Sequence, residues 1–172
     1  IEGNGTVQKV ILSDGKEIQT DMVILSAGIR ANSELAKDCA IELGETGAIK
    51  VNSRMQTNIE DIYACGDCVE KYHIVAQAHC WLPLGSTANK EGRCCAINVS
   101  GGHDEFEGVL GSAVTKYFDF TMSMTGLTEQ QALKYGFKPV SVVVRKNDKA
   151  GYMPDAECII IKLTADKETG KL

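Results

Sequence analysis

The stretch Thr57-Asn58-Ile59-Glu60-Asp61-Ile62-Tyr63-Ala64-Cys65-Gly66-Asp67-Cys68 decides the reading of this chain. Ile62 to Cys65 is a short apolar run, predicted as a strand, and it leads directly into Gly66-Asp67. A strand ending this way places a backbone without a Cβ, then a carboxylate, at its C-terminal edge. That edge is where α/β sheets bind ligands. The carboxylate accepts hydrogen bonds from sugar-like hydroxyls, and the glycine lets a ligand come close. Gly-Asp alone ends many turns; the upstream Thr-x(4)-Ile-Tyr-Ala makes the segment specific.

The same stretch contains a C-x-x-C, Cys65-Gly66-Asp67-Cys68, the spacing of a thiol redox pair or of half a zinc site. His73, His79 and Cys80 could complete a zinc set on paper. His79 and Cys80 are adjacent, however, so their side chains diverge, unlike the spaced pairs of zinc sites. A redox pair should open a helix, where the dipole lowers the thiol pKa, and here the first cysteine ends an apolar run. The expectation is a buried Cys65, an incidental Cys68 and no metal.

Working outward, the chain has 172 residues, 44% of them apolar and 24% charged, which excludes disorder, collagen and coiled coil. Its longest apolar runs, such as Cys158 to Ile161, fall far short of the roughly 18 residues of a membrane span. A net charge of −5 and a pI near 5.2 argue against a nucleic-acid or membrane-surface binder. Seven cysteines, an odd number, without a visible export signal fit a reduced, cytoplasmic chain. Ile1 at the start and a strand-joining turn, Lys167-Glu168-Thr169-Gly170, just before Leu172 suggest a fragment of a longer protein.

Patterning divides the chain. Val7–Leu12, Asp14-Gly15 and Glu17-Ile18 read as a hairpin with a type I′ turn, and Met22–Leu25 as a short strand. Asn32 or Ser33 should cap a helix through Asp38, with Leu35 and Cys39 on one face, and Ile49 and Val51 mark a half-buried strand. A helix is predicted from near Pro83, with proline at its first position, to Gly101-Gly102. Its small residues Gly85, Ala88, Gly92, Cys95 and Ala96 would let a backbone or a flat cofactor approach. Beyond Gly108 the character changes. Val114–Thr125 alternates as one strand, with Phe118, Phe120, Met122 and Met124 on a single face. Thr128 with Gln131 opens a helix that Gly136 closes, and strands follow at Val140–Val144 and Cys158–Leu163, giving β-α-β-β.

These motifs resemble those of the FAD-dependent pyridine nucleotide-disulfide oxidoreductases. The T-x(4)-IYA-x-GD segment is similar to the family's second FAD fingerprint, and Val23–Asn32 to the hinge where the NAD domain returns to the FAD domain. Trp81-Leu82-Pro83-Leu84-Gly85-Ser86-Thr87-Ala88-Asn89-Lys90-Glu91-Gly92-Arg93 resembles the branch holding NADH oxidases, NADH peroxidases and coenzyme A-disulfide reductases. Phe118-Asp119-Phe120 and Thr125–Glu129 resemble that branch's C-terminal dimerisation domain. The resemblance implies an α/β and α+β fold: part of a Rossmann-like FAD/NAD(P)-binding domain, then a β-α-β-β dimerisation domain. The implied boundaries are 1–28 for the tail of the NAD domain, 29–105 for the second FAD segment and 106–172 for part of the dimerisation domain.

The resemblance also implies roles. Asp67 would hold the FAD ribityl chain, with Gly66 allowing close approach, and Pro83, Leu84 and Gly85 would face the flavin pyrimidine edge. A helix N-terminus, carrying about half a positive charge, suits the charge that gathers there on reduction. NADH or NADPH would be co-substrate and a homodimer the working state, with a small-molecule acceptor such as coenzyme A disulfide, a persulfide, peroxide or oxygen. Both G-x-G-x-x-G phosphate loops and the redox cysteine of the branch lie upstream in the family, so the chain alone should be catalytically inert. Tyr152, in Gly151-Tyr152-Met153-Pro154, resembles a tyrosine presented to the partner's active site, although Met153 stands where a second tyrosine is common, and ordinary loop packing is the alternative. His79 is a proton-donor candidate beside a structural reading. Two other functions compete: a non-catalytic dimerisation or assembly module, and a cysteine-based redox or zinc module.

Overall fold

The computed structural model describes residues 1–171. It divides into two compact units, Ile1–Arg30 and Ala31–Leu172. In the first, β1 (Lys9–Ile11) and β2 (Glu17–Gln19) pair antiparallel as the hairpin expected. The turn differs. Leu12 N donates to Lys16 O, so the loop is Ser13-Asp14-Gly15, and of these only Gly15 has positive φ, at 83°. A type I′ turn needs positive φ at both central residues; this is instead the three-residue loop that uses one left-handed glycine. Met22–Leu25 forms no strand. Ile24 is 83% exposed, and among the described residues no strand pairs with the segment; the backbone of Met22 bonds instead to the Thr20 hydroxyl.

In the second unit, α1 (Glu34–Asp38) follows Ser33 as predicted, but Ser33 donates its hydroxyl to Gly47 O at 2.7 Å instead of capping the helix. Ala36 is the side chain α1 buries, while Leu35 and Cys39 stay exposed. Ala36 joins Ile49 and Val69 in a small core, against which Ile41, Leu43, Val51, Ala64 and Cys68 pack. Ile49 and Tyr63 make only isolated bridges, to Leu43 and Val69 and to Gln56, so the strands expected at 49–51 and 62–65 are extended segments. β3 (Lys71–His73) and β4 (Ala78–Cys80) then form a short antiparallel hairpin.

The main helix, α2 (Gly85–Val99), begins later than expected: Leu84 is its N-cap and Pro83 precedes the cap. Its buried face is Thr87, Glu91, Cys94 and Asn98, spaced at helical intervals and largely polar. Asn98 donates to Arg54 O at 3.0 Å and Asp104 O at 2.9 Å and accepts from Asp104 N, tying the helix to two loops. The helix stops by its own chemistry. Gly101 has φ of 86°, its N–H bonds to Asn98 O, and Gly102 N–H bonds to Ile97 O, a Schellman closure.

The stretch read as one strand at 114–125 is two. β5 (Ala113–Tyr117) and β6 (Phe120–Met124) pair antiparallel, with Phe118 and Asp119 as the turn and Phe118 at φ of 51°. Alternation has the same period in both arms, so periodicity alone does not reveal the reversal. Phe118 therefore leaves the face that Phe120, Met122 and Met124 share. α3 (Glu129–Lys134) has both arms of its capping box, Thr128 to Gln131 and back, and Gly136 closes it. β7 (Pro139–Asn147) and β8 (Cys158–Asp166) make a nine-residue ladder, and Glu129 anchors α3 to it through Ser141 and Lys162. No described helix is long and apolar enough to cross a membrane.

Two substitutions rank these devices. Asn98→Leu strands the Arg54 and Asp104 groups and should cost about 1–3 kcal/mol for each buried group left unpaired. Thr128→Ala should cost only about 1 kcal/mol. Urea denaturation of both variants checks the order.

Candidate functional site

Gly66 adopts φ of 90°, a left-handed conformation that glycine enters without steric cost, and it turns the chain so that Asp67 stands exposed. A Cβ at position 66 would lie 3.9 Å from the Ala88 methyl, which puts the turn beside the first turns of α2. Three side chains hold it there. Gly66 N donates to Glu91 Oε2 at 2.8 Å, Lys71 Nζ donates to Gly66 O at 2.8 Å, and Trp81 Nε1 donates to Asp67 O at 2.7 Å. None of the three donates to the Asp67 carboxylate, which accepts no hydrogen bond from the described residues.

Lys71 and Glu91 are the centre of this arrangement. Their side chains are fully buried, with Nζ 3.4 Å from Glu91 Oε1, and Nζ also bonds to Val69 O at 3.1 Å. Burial pushes the Glu91 carboxyl above the usual carboxylate range, while Lys71 and the Gly66 amide pull it back. Sequence reasoning missed Lys71, Glu91 and Trp81. Glu91 carried one signal: it lies four residues after Thr87 and seven before Asn98, on the face α2 buries. Both residues of the pair also line a groove of about 510 Å³ with Met55, Tyr72 and Phe106; the Gly66–Asp67 turn and the start of α2 are not among its lining residues.

The N-terminus of α2 is open. Leu84 offers no side-chain cap, and its first turn holds no acidic residue, so the partial positive charge there meets no protein anion within the helix. Gly85 has nothing within 4 Å of where a Cβ would be. The structure thus brings together Gly66, Asp67 and the beginning of α2, with Pro83 and Leu84 just ahead of it.

Other candidates fall elsewhere. Tyr152 is 90% exposed in the loop between β7 and β8, so it is not packed as ordinary loop filling. His79 is exposed with its ring edge against Tyr72, at 5.8 Å between centroids. Among the described residues no group of three or more His, Cys, Asp or Glu is placed to hold a metal. Burial raises the thiols of Cys65 and Cys68, the reverse of what a reactive C-x-x-C requires, and Cys68 donates to Cys65 O at 3.4 Å while packing on the core.

Removing Lys71 alone should be severe: Lys71→Met leaves Glu91 buried and unpaired, a loss of about 3–5 kcal/mol, and adding Glu91→Gln should restore most of it. Chemical denaturation reads both. Cys80 gives a pH signature, since burial pushes its thiol from 9.0 to about 11. Across that window the unfolded chain gives up the proton first, so stability falls as pH rises. Cys80→Ser should flatten this decline in the denaturation midpoint.

Comparison with known proteins bears on the family of the chain. Residues 1–92 match the pyridine nucleotide-disulphide oxidoreductase family and residues 112–172 its dimerisation domain. The whole chain is 42% identical to the NAD(P)H sulfur oxidoreductase (CoA-dependent) of Pyrococcus furiosus, spanning 39% of that protein's length. It is 37% identical to the NADH oxidase of Methanocaldococcus jannaschii, spanning 38% of it. An NAD-dependent persulfide reductase from A. fulgidus superposes with a TM-score of 0.85 at 42% identity, over 90% of this chain and 29% of the other. On a match covering more than half its length, the chain belongs to the pyridine nucleotide-disulphide oxidoreductases.

Proposed function

We propose that this chain is the flavin-facing portion of an FAD-dependent NAD(P)H oxidoreductase that works as a homodimer and reduces a coenzyme A-linked sulfur species, a disulfide or persulfide. The observation that carries the reading is the Gly66–Asp67 turn, with its exposed, unbonded carboxylate beside the open N-terminus of α2. On this reading 1–28 is the tail of an NAD domain, 29–105 the second FAD segment and 106–172 part of the dimerisation domain.

The residues present fit FAD. Asp67 accepts hydrogen bonds from the ribityl hydroxyls, and Gly66, without a Cβ, leaves room for the chain to lie against the backbone. The N–H groups at the beginning of α2, following Pro83 and Leu84, face the electron-rich pyrimidine edge and stabilise negative charge there. Bound in this place, FAD would accept two electrons from NADH or NADPH and pass them to the sulfur acceptor by way of a cysteine outside these residues. Trp81, Lys71 and Glu91 work at one remove: they hold the backbone that aims Asp67.

The choice of acceptor rests on the relatives. Identity is higher to the CoA-dependent sulfur oxidoreductase, at 42%, than to the NADH oxidase, at 37%. The exposed tyrosine at position 152 supports a contribution to a partner subunit's site. Exposed apolar residues on one face of the β7–β8 hairpin, Val142, Val144, Ile161 and Leu163, support burial against more protein than this chain supplies.

Asp67→Ala in the protein expressed from the whole reading frame should weaken flavin retention by about tenfold to a hundredfold, the effect of one lost hydrogen bond to a charged group. Visible absorbance per protein after gel filtration measures it. A wild-type protein that stays colourless with flavin supplied would overturn the assignment. The 172-residue chain alone, given FAD and NADH, should oxidise no NADH.

A further inference from the structure

We propose that Asn4 is a site of spontaneous covalent modification: the Gly5 amide displaces its carboxamide nitrogen, and an acid takes the place of the asparagine in the loop before β1. Such a ring closure needs a carboxamide free to turn, a following backbone N–H not held in a hydrogen bond, and no side chain on the following residue to crowd the ring. Asn4 meets all three. Both residues are exposed. Neither the Asn4 side chain nor the Gly5 N–H makes a hydrogen bond among the described residues. Gly5 has no Cβ, and nothing lies within 4 Å of where one would be.

Elsewhere the corresponding groups are held. Asn4-Gly5 is the one Asn-Gly pair of the sequence and Asp14-Gly15 the one Asp-Gly pair. In the second, Gly15 N–H donates to Leu12 O at 3.0 Å and the Asp14 carboxylate accepts from Lys16 N at 3.0 Å, so both reacting groups are engaged. The Asn52 carboxamide accepts from Arg54 N and Gln56 N, and that of Asn58 accepts from Glu42 N and donates to Ala40 O. Asn89 and Asn98 lie within α2, whose ladder occupies the amides that follow them. Asp148 N–H, after Asn147, donates to Glu157 O, and Ser33, after Asn32, is buried.

The Gly5 nitrogen, deprotonated by hydroxide, attacks Asn4 Cγ. The new N–Cγ bond closes a five-membered imide, the Cγ–Nδ2 bond breaks, and Nδ2 takes a proton from water and leaves as ammonia, regenerating the hydroxide. Water then opens the imide. Opening at Cγ leaves an aspartate on the normal backbone; opening at the main-chain carbonyl reroutes the chain through Cγ as isoaspartate. No electrons are exchanged, and the loop gains one negative charge. That loop is clipped at its base, where Glu2 N donates to Lys9 O at 2.9 Å and Lys9 N to Glu2 O at 3.2 Å. It is also tight, since a Cβ at Gly3 would fall 1.8 Å from Thr6 O. Isoaspartate lengthens the main chain inside the clip by one carbon, which loosens the entry to β1. The inference concerns the unit Ile1–Arg30 and does not depend on flavin.

The test uses the protein expressed from the whole reading frame, incubated folded in mildly alkaline buffer made with 18O-labelled water. Digestion in ordinary water at mildly acidic pH and mass spectrometry follow, so that only conversion before digestion carries the label. The expected result is progressive loss of Asn4 to two labelled, chromatographically separable products, at a rate proportional to hydroxide, with the other asparagines recovered intact. Asn4→Gln should abolish those products. Unfolding in urea should leave the Asn4 rate unchanged while accelerating isomerisation at Asp14. An Asn4 that persists in the folded protein and reacts only in urea would overturn the proposal, as would faster conversion at Asn32, Asn52 or Asn58.

Discussion

A buried ammonium and a buried carboxylate organise this chain. Lys71 and Glu91 come from a short hairpin and from the long helix, and neither side chain reaches solvent. Such a pair gives little net stability, because desolvation offsets attraction, but it is costly to break. What it provides is placement. Between them the two charged groups take both the N–H and the C=O of Gly66, so the peptide on each side of the left-handed glycine is held. The position of Asp67 follows from that grip, and Trp81 adds a third point of attachment on Asp67 itself. The start of α2 is placed by the same pair, because Glu91 lies on the helix. One interaction thus registers the carboxylate against the helix mouth.

Much of this was legible in the residues. Local chemistry was read well where it is self-contained. Thr128 and Gln131 bond each other as a capping box, Gly136 and Gly101 end their helices, and the β1–β2 hairpin stands where Asp14-Gly15 placed it. Gly66-Asp67 was recognisable because a glycine and a carboxylate follow an apolar run under a specific upstream pattern.

What was not legible depends on partners distant in sequence. Lys71 and Glu91 are separated by 20 positions, and nothing in either neighbourhood marks a charged residue for full burial. The strands expected at 22–25, 49–51 and 62–65 have the right residues but too few neighbours to complete a ladder, so they remain extended segments or isolated bridges. The run at 114–125 failed differently: a period of two is preserved through a reversal, and the turn at Phe118 carries no glycine to announce it. Pro83 marked the approach of a helix and not its first residue.

The two ends of α2 are electrically unlike. At its carboxyl end the amides of Gly101 and Gly102 answer the last carbonyls. At the amino end neither a capping side chain nor an acidic residue of the first turn does so. The helix consequently projects a one-sided field, outward past Leu84, that mobile ions can quench. With a Debye length of about 8 Å at physiological ionic strength, attraction of a distant anion to this mouth fades with added salt, whereas an anion seated against the amides is largely spared. Ionic strength would therefore slow the capture of a negatively charged guest far more than it would hasten its escape.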